Sequence, residues 1–519
     1  MEVVGNYLSI VLNFLNAVLD FLDIDPSKFL LSQWLFLRLL GLNYLVAFLS
    51  MTIGVKGLWG ENGILSIKTY LQNIQKRHPG WIRFYYFPSV FWINSSDIAL
   101  VAMVWLPLIA SIMLILNIAT VPMLIFLWVA WTSFICVDTA FMRRQSDSLL
   151  VEVGFFSIFY AMITPPPLFA LLYIWFLLFK FMFMAGMAKI LSGDPSWRDG
   201  SAMSYHYETQ PLPNWISWYA HKMPMWVHKI SSFTMFIIEI VAPFFILCPE
   251  PVRFSLFVLF ALLQVGIFTT GNFTFINVLS FVLASVLIED RYLEGWIWPY
   301  VSVNPQDPHF LTLILVGVVC SVLFIMSSIL LFMVVTRKRA NIPIMGKMMH
   351  FHICNSYGLF AVMTKYRNEV IIEGSEDGKI WKEYEFKWKA GDVYRPTRQM
   401  APHHPRLDWQ MWFASLGNYK SYPWFSNLIV RLLQGSEDVL ALLKKNPFPD
   451  GPPTYIRSKL YRYHFADLKT RKKTGSWWIR EFLSDYTPVF SREKQASPKT
   501  RSPANRVGSS ISFTQRPKK

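Results

Sequence analysis

The sequence predicts a polytopic α-helical membrane protein of about nine spans, then a C-terminal mixed α/β domain and a disordered basic tail. Three observations carry this. Of 519 residues, 53% are hydrophobic and only 16% charged, against about 25% charged in an average soluble domain. A single soluble interior cannot hold that much apolar side chain, and the same content excludes disorder over most of the length. Next, nine apolar runs recur between residues 29 and 335. Finally, charge is segregated. From Arg337 onward lie 33 of the 49 Lys and Arg but 15 of the 33 Asp and Glu, so the last 183 residues carry +18 and the first 336 carry −2.

The elements follow in order. In residues 1–28, Asn6, Ser9, Asn13, Asn16 and Asp20 recur at three- and four-residue steps among apolar residues. One polar stripe on an apolar helix predicts an amphipathic helix at the membrane interface, a tenth span being the alternative. The spans are 29–55, 98–116, 118–137, 148–163, 167–188, 232–248, 254–270, 273–288 and 310–335. A span needs about 20 apolar residues, so 148–163, 254–270 and 273–288 are short. Together they make a bundle over 29–339.

Sequons orient it. Asn94-Ser-Ser96 lies between the first two spans, and Asn272-Phe-Thr274 lies close to the membrane between the seventh and eighth. A cytosolic N-terminus places both in the lumen, where glycosylation of Asn94 occurs, with loops 56–97 and 189–231 and the C-terminal domain. Arg337-Lys338-Arg339 after the last span argues the opposite under the positive-inside rule.

Residues 340–490 read as the α/β domain. The runs 368–373 and 380–388 alternate apolar and polar around Gly-Ser-Glu-Asp-Gly-Lys, which predicts a β-hairpin. Residues 408–445 read as helices with Trp409, Trp412 and Phe413 on one face. Residues 491–519, rich in Ser, Pro, Lys and Arg, read as the disordered tail.

Candidate chemistry is sparse. Arg38, Glu152, Lys180 and Glu239 fall inside spans, where charges face the bundle and pair. They form either two register-fixing ion pairs or a polar cavity. His206 and Glu208, in the loop 192–214, could act as acid and base, although no nucleophile stands beside them. His350, His352 and Cys354 would share one face of a strand, which suits a metal, but no fourth ligand is near. Cys136, Cys248, Cys320 and Cys354 form no CxxC pair. No nucleotide-binding, metalloprotease or serine-hydrolase motif occurs. No catalytic residue, metal or cofactor is therefore assigned, and no nucleic-acid motif accompanies the basic charge.

The loop from Trp197-Arg198-Asp199 through His206-Tyr-Glu-Thr-Gln210 to Asn214 resembles the signature loop of the lipase maturation factors. Other segments agree in order. These are Leu149-Leu-Val-Glu152-Val-Gly154, Ile237-Ile-Glu239-Ile-Val-Ala-Pro243, Gly271-Asn272-Phe-Thr-Phe275, Asn355-Ser-Tyr-Gly358, Val370-Ile-Ile-Glu-Gly374, Arg406-Leu-Asp-Trp409, Met411-Trp412-Phe413, Asn446-Pro-Phe448 and Tyr461-Arg-Tyr463. The wording of 409–416 and 431–435 is more like the second paralogue of that family.

The resemblance implies a multi-pass protein of the endoplasmic-reticulum membrane that helps secreted clients, such as dimeric lipases, reach an active fold. It implies a luminal C-terminal domain and no catalytic activity. It makes Trp197, Arg198, Tyr205, His206, Tyr207, Glu208, Thr209, Gln210, Arg406, Asp408, Trp409, Trp412 and Phe413 candidates for client binding or for a structural motif. Trp409, Trp412, Trp477 and Trp478 could instead fill the core of their own domain. A membrane enzyme or lipid-binding transporter using a polar cavity is the competing reading.

Overall fold

The computed structural model describes residues 17, 19–138, 140–142, 144–297, 305, 307–338, 346 and 348–492. The expected interfacial helix lies mostly outside them, as does nearly all of the expected tail.

Apolar runs too long to leave unpaired in lipid become helices, because only there is every backbone group satisfied internally. The chain begins with α1 (Leu30–Thr52), led by the 3-10 turn Pro26–Phe29. The amphipathic α2 (Ile67–Arg77) follows, then α3 (Asp97–Ile115), α4 (Thr120–Val137), α5 (Gln145–Tyr160) and α6 (Leu168–Ser192). Two short helices, α7 (Ala202–Thr209) and α8 (Trp215–His221), lie in the following loop. Next come α9 (Met225–Phe236), α10 (Glu250–Thr270), α11 (Ile276–Ala284) and α12 (Phe310–Thr336).

Seven helical segments among the described residues are long and apolar enough to cross a membrane. The two remaining expected spans are shorter. Helix α5 has 16 residues, and Ile276–Leu287 is a short apolar helix. Both are enclosed by other helices, so neither has to match the bilayer thickness. The count of nine is thus approximate.

The buried start of α1 is capped from a distant loop. Both carboxylate oxygens of Asp290 accept from the Leu30, Leu31 and Ser32 amides at 2.9–3.0 Å, which satisfies the first turn of α1. Helix α9 continues through a π-helical turn, Ile237–Val241, into a 3-10 turn, Ala242–Leu247. Gly186 on α6 faces that turn. A Cβ there would stand 2.4 Å from Ile240 and 3.0 Å from the Glu239 Cβ, so glycine lets the two backbones meet.

The C-terminal domain sits on one end of the bundle. Bonds link it to α1 (Ser50 Oγ to His404 O, 3.2 Å), to α5 (Arg406 to Asp147, 3.0 Å), to α7 (Trp412 Nε1 to Thr209 O, 2.8 Å) and to the turn before α11 (Met400 N to Asn272 Oδ1, 2.9 Å). The Asn94 loop lies at that same end, where Asp97 accepts from the Glu61 amide.

The domain's sheet differs from the expected hairpin. Strand β1 (Arg367–Ser375) pairs with β2 (Lys382–Glu383) over only two residues. The run 380–388 is split, because β3 (Glu385–Phe386) turns away to pair with β4 (Leu443–Lys445). The main partner of β1 is β5 (Tyr455–Phe465), antiparallel from Arg367↔Tyr463 to Ser375↔Tyr455. Strands β6 (Trp478–Asp485) and β7 (Phe490–Ser491) flank β5 on its other side. Helices α13 (Arg406–Ser415) and α14 (Pro423–Gln434) pack beside them.

Candidate functional site

A cavity of about 600 Å³ lies where the bundle meets the C-terminal domain. Its walls come from separated segments: Phe181 and Lys189 of α6, Trp197 and His206 of the following loop, Met235 of α9 with Glu239 beyond it, Phe273 and Asn277, then Phe360, Trp409, Trp412 and Phe413. The lining is mainly apolar and aromatic, as binding pockets usually are.

One ion pair lies at its wall. Lys189 Nζ pairs with Glu239 Oε2 at 2.7 Å, nearly fully buried, and the ammonium lies 5.7 Å from the Trp197 ring centroid. Trp197 Nε1 donates to Phe360 O at 3.2 Å. The His206 ring stacks on Phe273 and meets the Phe360 edge at 5.1 Å. Burial, with Lys189 adding to it, drives the His206 pKa down to about 4, so the imidazole is neutral. The Arg144 guanidinium lies 4.0 Å over the Phe413 ring.

The signature loop is mostly a docking seam. Glu208 turns away from His206. Its Oε1 accepts from the Phe465 amide at 2.7 Å, and its carboxylate lies 3.8 Å from His221 and 3.4 Å from His464. His206 and Glu208 thus do not form an acid–base pair. Thr209 presents its carbonyl to Trp412. Gln210 donates to Tyr207 O and Thr270 O. Tyr205 packs near Trp197 and Met363, and Tyr207 against His228. Arg198 is exposed.

In the domain, Arg406 bonds Asp147 and donates to Phe141 O at 2.7 Å. The Asp408 carboxylate accepts from the Trp388 and Lys389 amides at 2.8 and 2.9 Å. Trp409 stands beside Phe273 and His404. Sequence reasoning missed Arg367. Fully buried, it pairs with Glu369 and donates to the carbonyls of Glu208, Gln210 and Pro211. One arginine among many in a basic domain gives no sequence signal of that role.

The intramembrane charges are only partly paired with one another. Lys180 forms an ion pair with Glu152, both fully buried. Glu152 Oε2 also accepts from the Tyr357 hydroxyl at 2.5 Å and the Asn355 amide at 3.0 Å, and Lys180 donates to Ser327 at 3.1 Å. The segment around Asn355 therefore dips back into the bundle. Glu239 takes Lys189 as its partner, a residue just past the expected span end. Arg38 has no acidic partner among the described residues. Its guanidinium donates to Thr120 Oγ1 at 3.3 Å and lies near the Trp34 ring. Of the two readings of these four charges, two pairs among themselves is corrected: only Glu152 and Lys180 pair with each other.

His350 lies in a 3-10 turn against Tyr86 at 4.8 Å, and Cys354 lies 3.3 Å from Ser327 Oγ. They do not lie on a strand. Among the described residues no group of three His, Cys, Asp or Glu could hold a metal ion.

The comparisons agree with this division. Residues 31–295 match the family model "Lipase maturation factor transmembrane domain", and residues 353–488 match "Lipase maturation factor C-terminal domain". The chain is 32% identical to lipase maturation factor 1 of Mus musculus, over 91% of this chain and 89% of that protein. It is 31% identical to lipase maturation factor 1 of Homo sapiens, covering 91% and 90%. It is 29% identical to lipase maturation factor 2 of Mus musculus, covering 93% and 88%. No solved structure matches significantly. The two family models meet at the cavity described above, and the chain belongs to the lipase maturation factor family.

Proposed function

We propose that this multi-pass membrane protein is a folding and maturation factor of the endoplasmic reticulum that assists folding, assembly and secretion of client proteins, dimeric secreted lipases foremost. The observation that carries this reading is the junction itself. The signature loop, the Glu239 segment, the Gly271–Phe275 turn and the Trp409–Phe413 helix, far apart in sequence, converge on one cavity. A helper of this kind needs no bond-making site. It needs apolar and aromatic surface that shields client patches until subunits assemble.

The orientation we propose puts the N-terminus in the cytosol and the C-terminal domain in the lumen. It is supported by the exposed Asn94 sequon at the domain's end of the bundle. Asn272 is buried and fully engaged by Arg398, Met400 and Ala401, so Asn94 is the sequon for modification.

The test is lipase specific activity, as activity per secreted mass. A dimeric lipase is expressed in cells lacking their own maturation factors, with and without this chain. A rise supports the reading. No rise, with the chain stably in the membrane, moves the client elsewhere.

A further inference from the structure

One cation at the cavity wall has no ion pair among the described residues. Arg144, just before α5, lines the cavity with Gln145 and Ser146 of that helix's first turn. Its guanidinium lies over the Phe413 ring, and Nη2 donates to Ala140 O at 3.3 Å. Among the described residues Nε and Nη1 donate to no group, and the side chain keeps accessible surface. The two carboxylates nearest in charge effect, Asp147 and Asp138, are engaged elsewhere. Asp147 is held by Arg406, and Asp138 accepts from the Ala140 and Phe141 amides. Lys189 and Glu239, also at the wall, hold each other. A guanidinium offers its donors as a planar fork that matches a carboxylate, so Arg144 is equipped to receive an anionic head.

The rest of the wall sets the occupant's body. Phe181, Met182, Met235, Ile267 and Phe273 are apolar. The volume lies within the roughly 300–1,000 Å³ of small-molecule sites. Val362 and Leu416 also line the cavity and are 68% and 45% exposed, so they stand at its mouth. A peptide segment is a poor occupant, because each residue brings an N–H and a C=O that need partners once buried. The wall supplies few, since its polar side chains Gln264, Thr274, Asn277 and Ser280 are themselves buried. A hydrocarbon chain brings no such groups. Apolar walls with one accessible guanidinium therefore fit a single-chain anionic amphiphile.

We propose that this cavity binds a long-chain fatty acid, with its carboxylate on the Arg144 guanidinium and its hydrocarbon chain among the aromatic and methionine side chains. The ligand goes beyond client activation, and its test reads binding alone. The purified full chain is placed in phosphatidylcholine nanodiscs at about pH 8.5, well above the ordinary carboxyl pKa. The probes are photoactivatable palmitic acid and the photoactivatable alcohol of equal chain length. The acid is expected to label peptides carrying Phe360, Trp412 or Phe413 saturably, and the alcohol about tenfold less, the worth of a hydrogen bond to a charged group. Arg144→Met brings labelling by the acid down to the level of the alcohol. It leaves labelling by the alcohol unchanged, which shows the cavity intact. Should Arg144→Met misfold, the ratio of acid to alcohol labelling in the wild-type chain decides alone. Four outcomes overturn the assignment: equal labelling by acid and alcohol, labelling confined to outward-facing residues such as Leu262, acid labelling indifferent to Arg144→Met, or displacement of the acid by an acidic aromatic peptide but not by unlabelled palmitic acid.

Discussion

Glu152→Gln tests what the buried pair in the bundle does. The substitution keeps an oxygen for the Tyr357 hydroxyl and the Asn355 amide, but leaves the Lys180 ammonium with only Ser327 as a partner. Both pair members are fully buried. Removing one partner of such a pair costs about 3–5 kcal/mol, a factor of about 100 to several thousand in the folded population at about 1.4 kcal/mol per tenfold. Lys180→Met costs less, because Glu152 keeps two donors. The double variant recovers about half of the Glu152→Gln loss at mid-range, since what remains is an unpaired buried amide worth about 1–3 kcal/mol. The assay is membrane abundance in cells together with the fluorescence-detected melting temperature in detergent. Normal abundance and melting of Glu152→Gln with lost lipase activation would refute the structural reading and make the pair a working site.

Further outcomes follow from the same structure. Arg406→Met leaves Asp147 buried without its cation and frees the Phe141 carbonyl, so it should cost about 3–5 kcal/mol and open the C-terminal domain to limited proteolysis. His206 and His403 have pKa values near 4 when folded, below the ordinary 6.5. Stability is therefore full above about pH 6.5 and falls as the pH drops toward 4, by up to about 1.4 kcal/mol per unit per histidine. Melting between pH 7.5 and 5 should show this, and His206→Phe should flatten it. Asn94→Gln should abolish the endoglycosidase-sensitive mass shift, whereas Asn272→Gln should lower abundance through lost contacts to Met400 and Ala401.

The spans were legible because continuous apolar runs have one solution in lipid. Their lengths were legible in part: 148–163 and 273–288 read as short and are short, α5 and α11 being wrapped in protein, whereas 254–270 reads as short and α10 is long enough to span. Glu152 and Lys180 could be paired by sign alone. Lys189 could not, because it lies one residue past the run that hydropathy delimits and reaches Glu239 only through the π turn of α9. The long β1–β5 pairing was missed since about eighty residues separate the strands, while the local alternation at 380–388 suggested a nearer partner. The cavity was invisible for a similar reason. Its walls come from segments spread over some 270 residues, from Arg144 to Leu416, and only the family resemblance marked them as belonging together.

The central claim is that the signature loop and the Trp409–Phe413 helix act together on clients. The most direct measurement is specific activity of a dimeric lipase secreted from cells that carry the wild-type chain or Trp412→Ala at matched membrane abundance. Trp412 lines the cavity and holds Thr209 through one hydrogen bond. The account predicts a rise with the wild type and none with Trp412→Ala. Equal activation by both would contradict it.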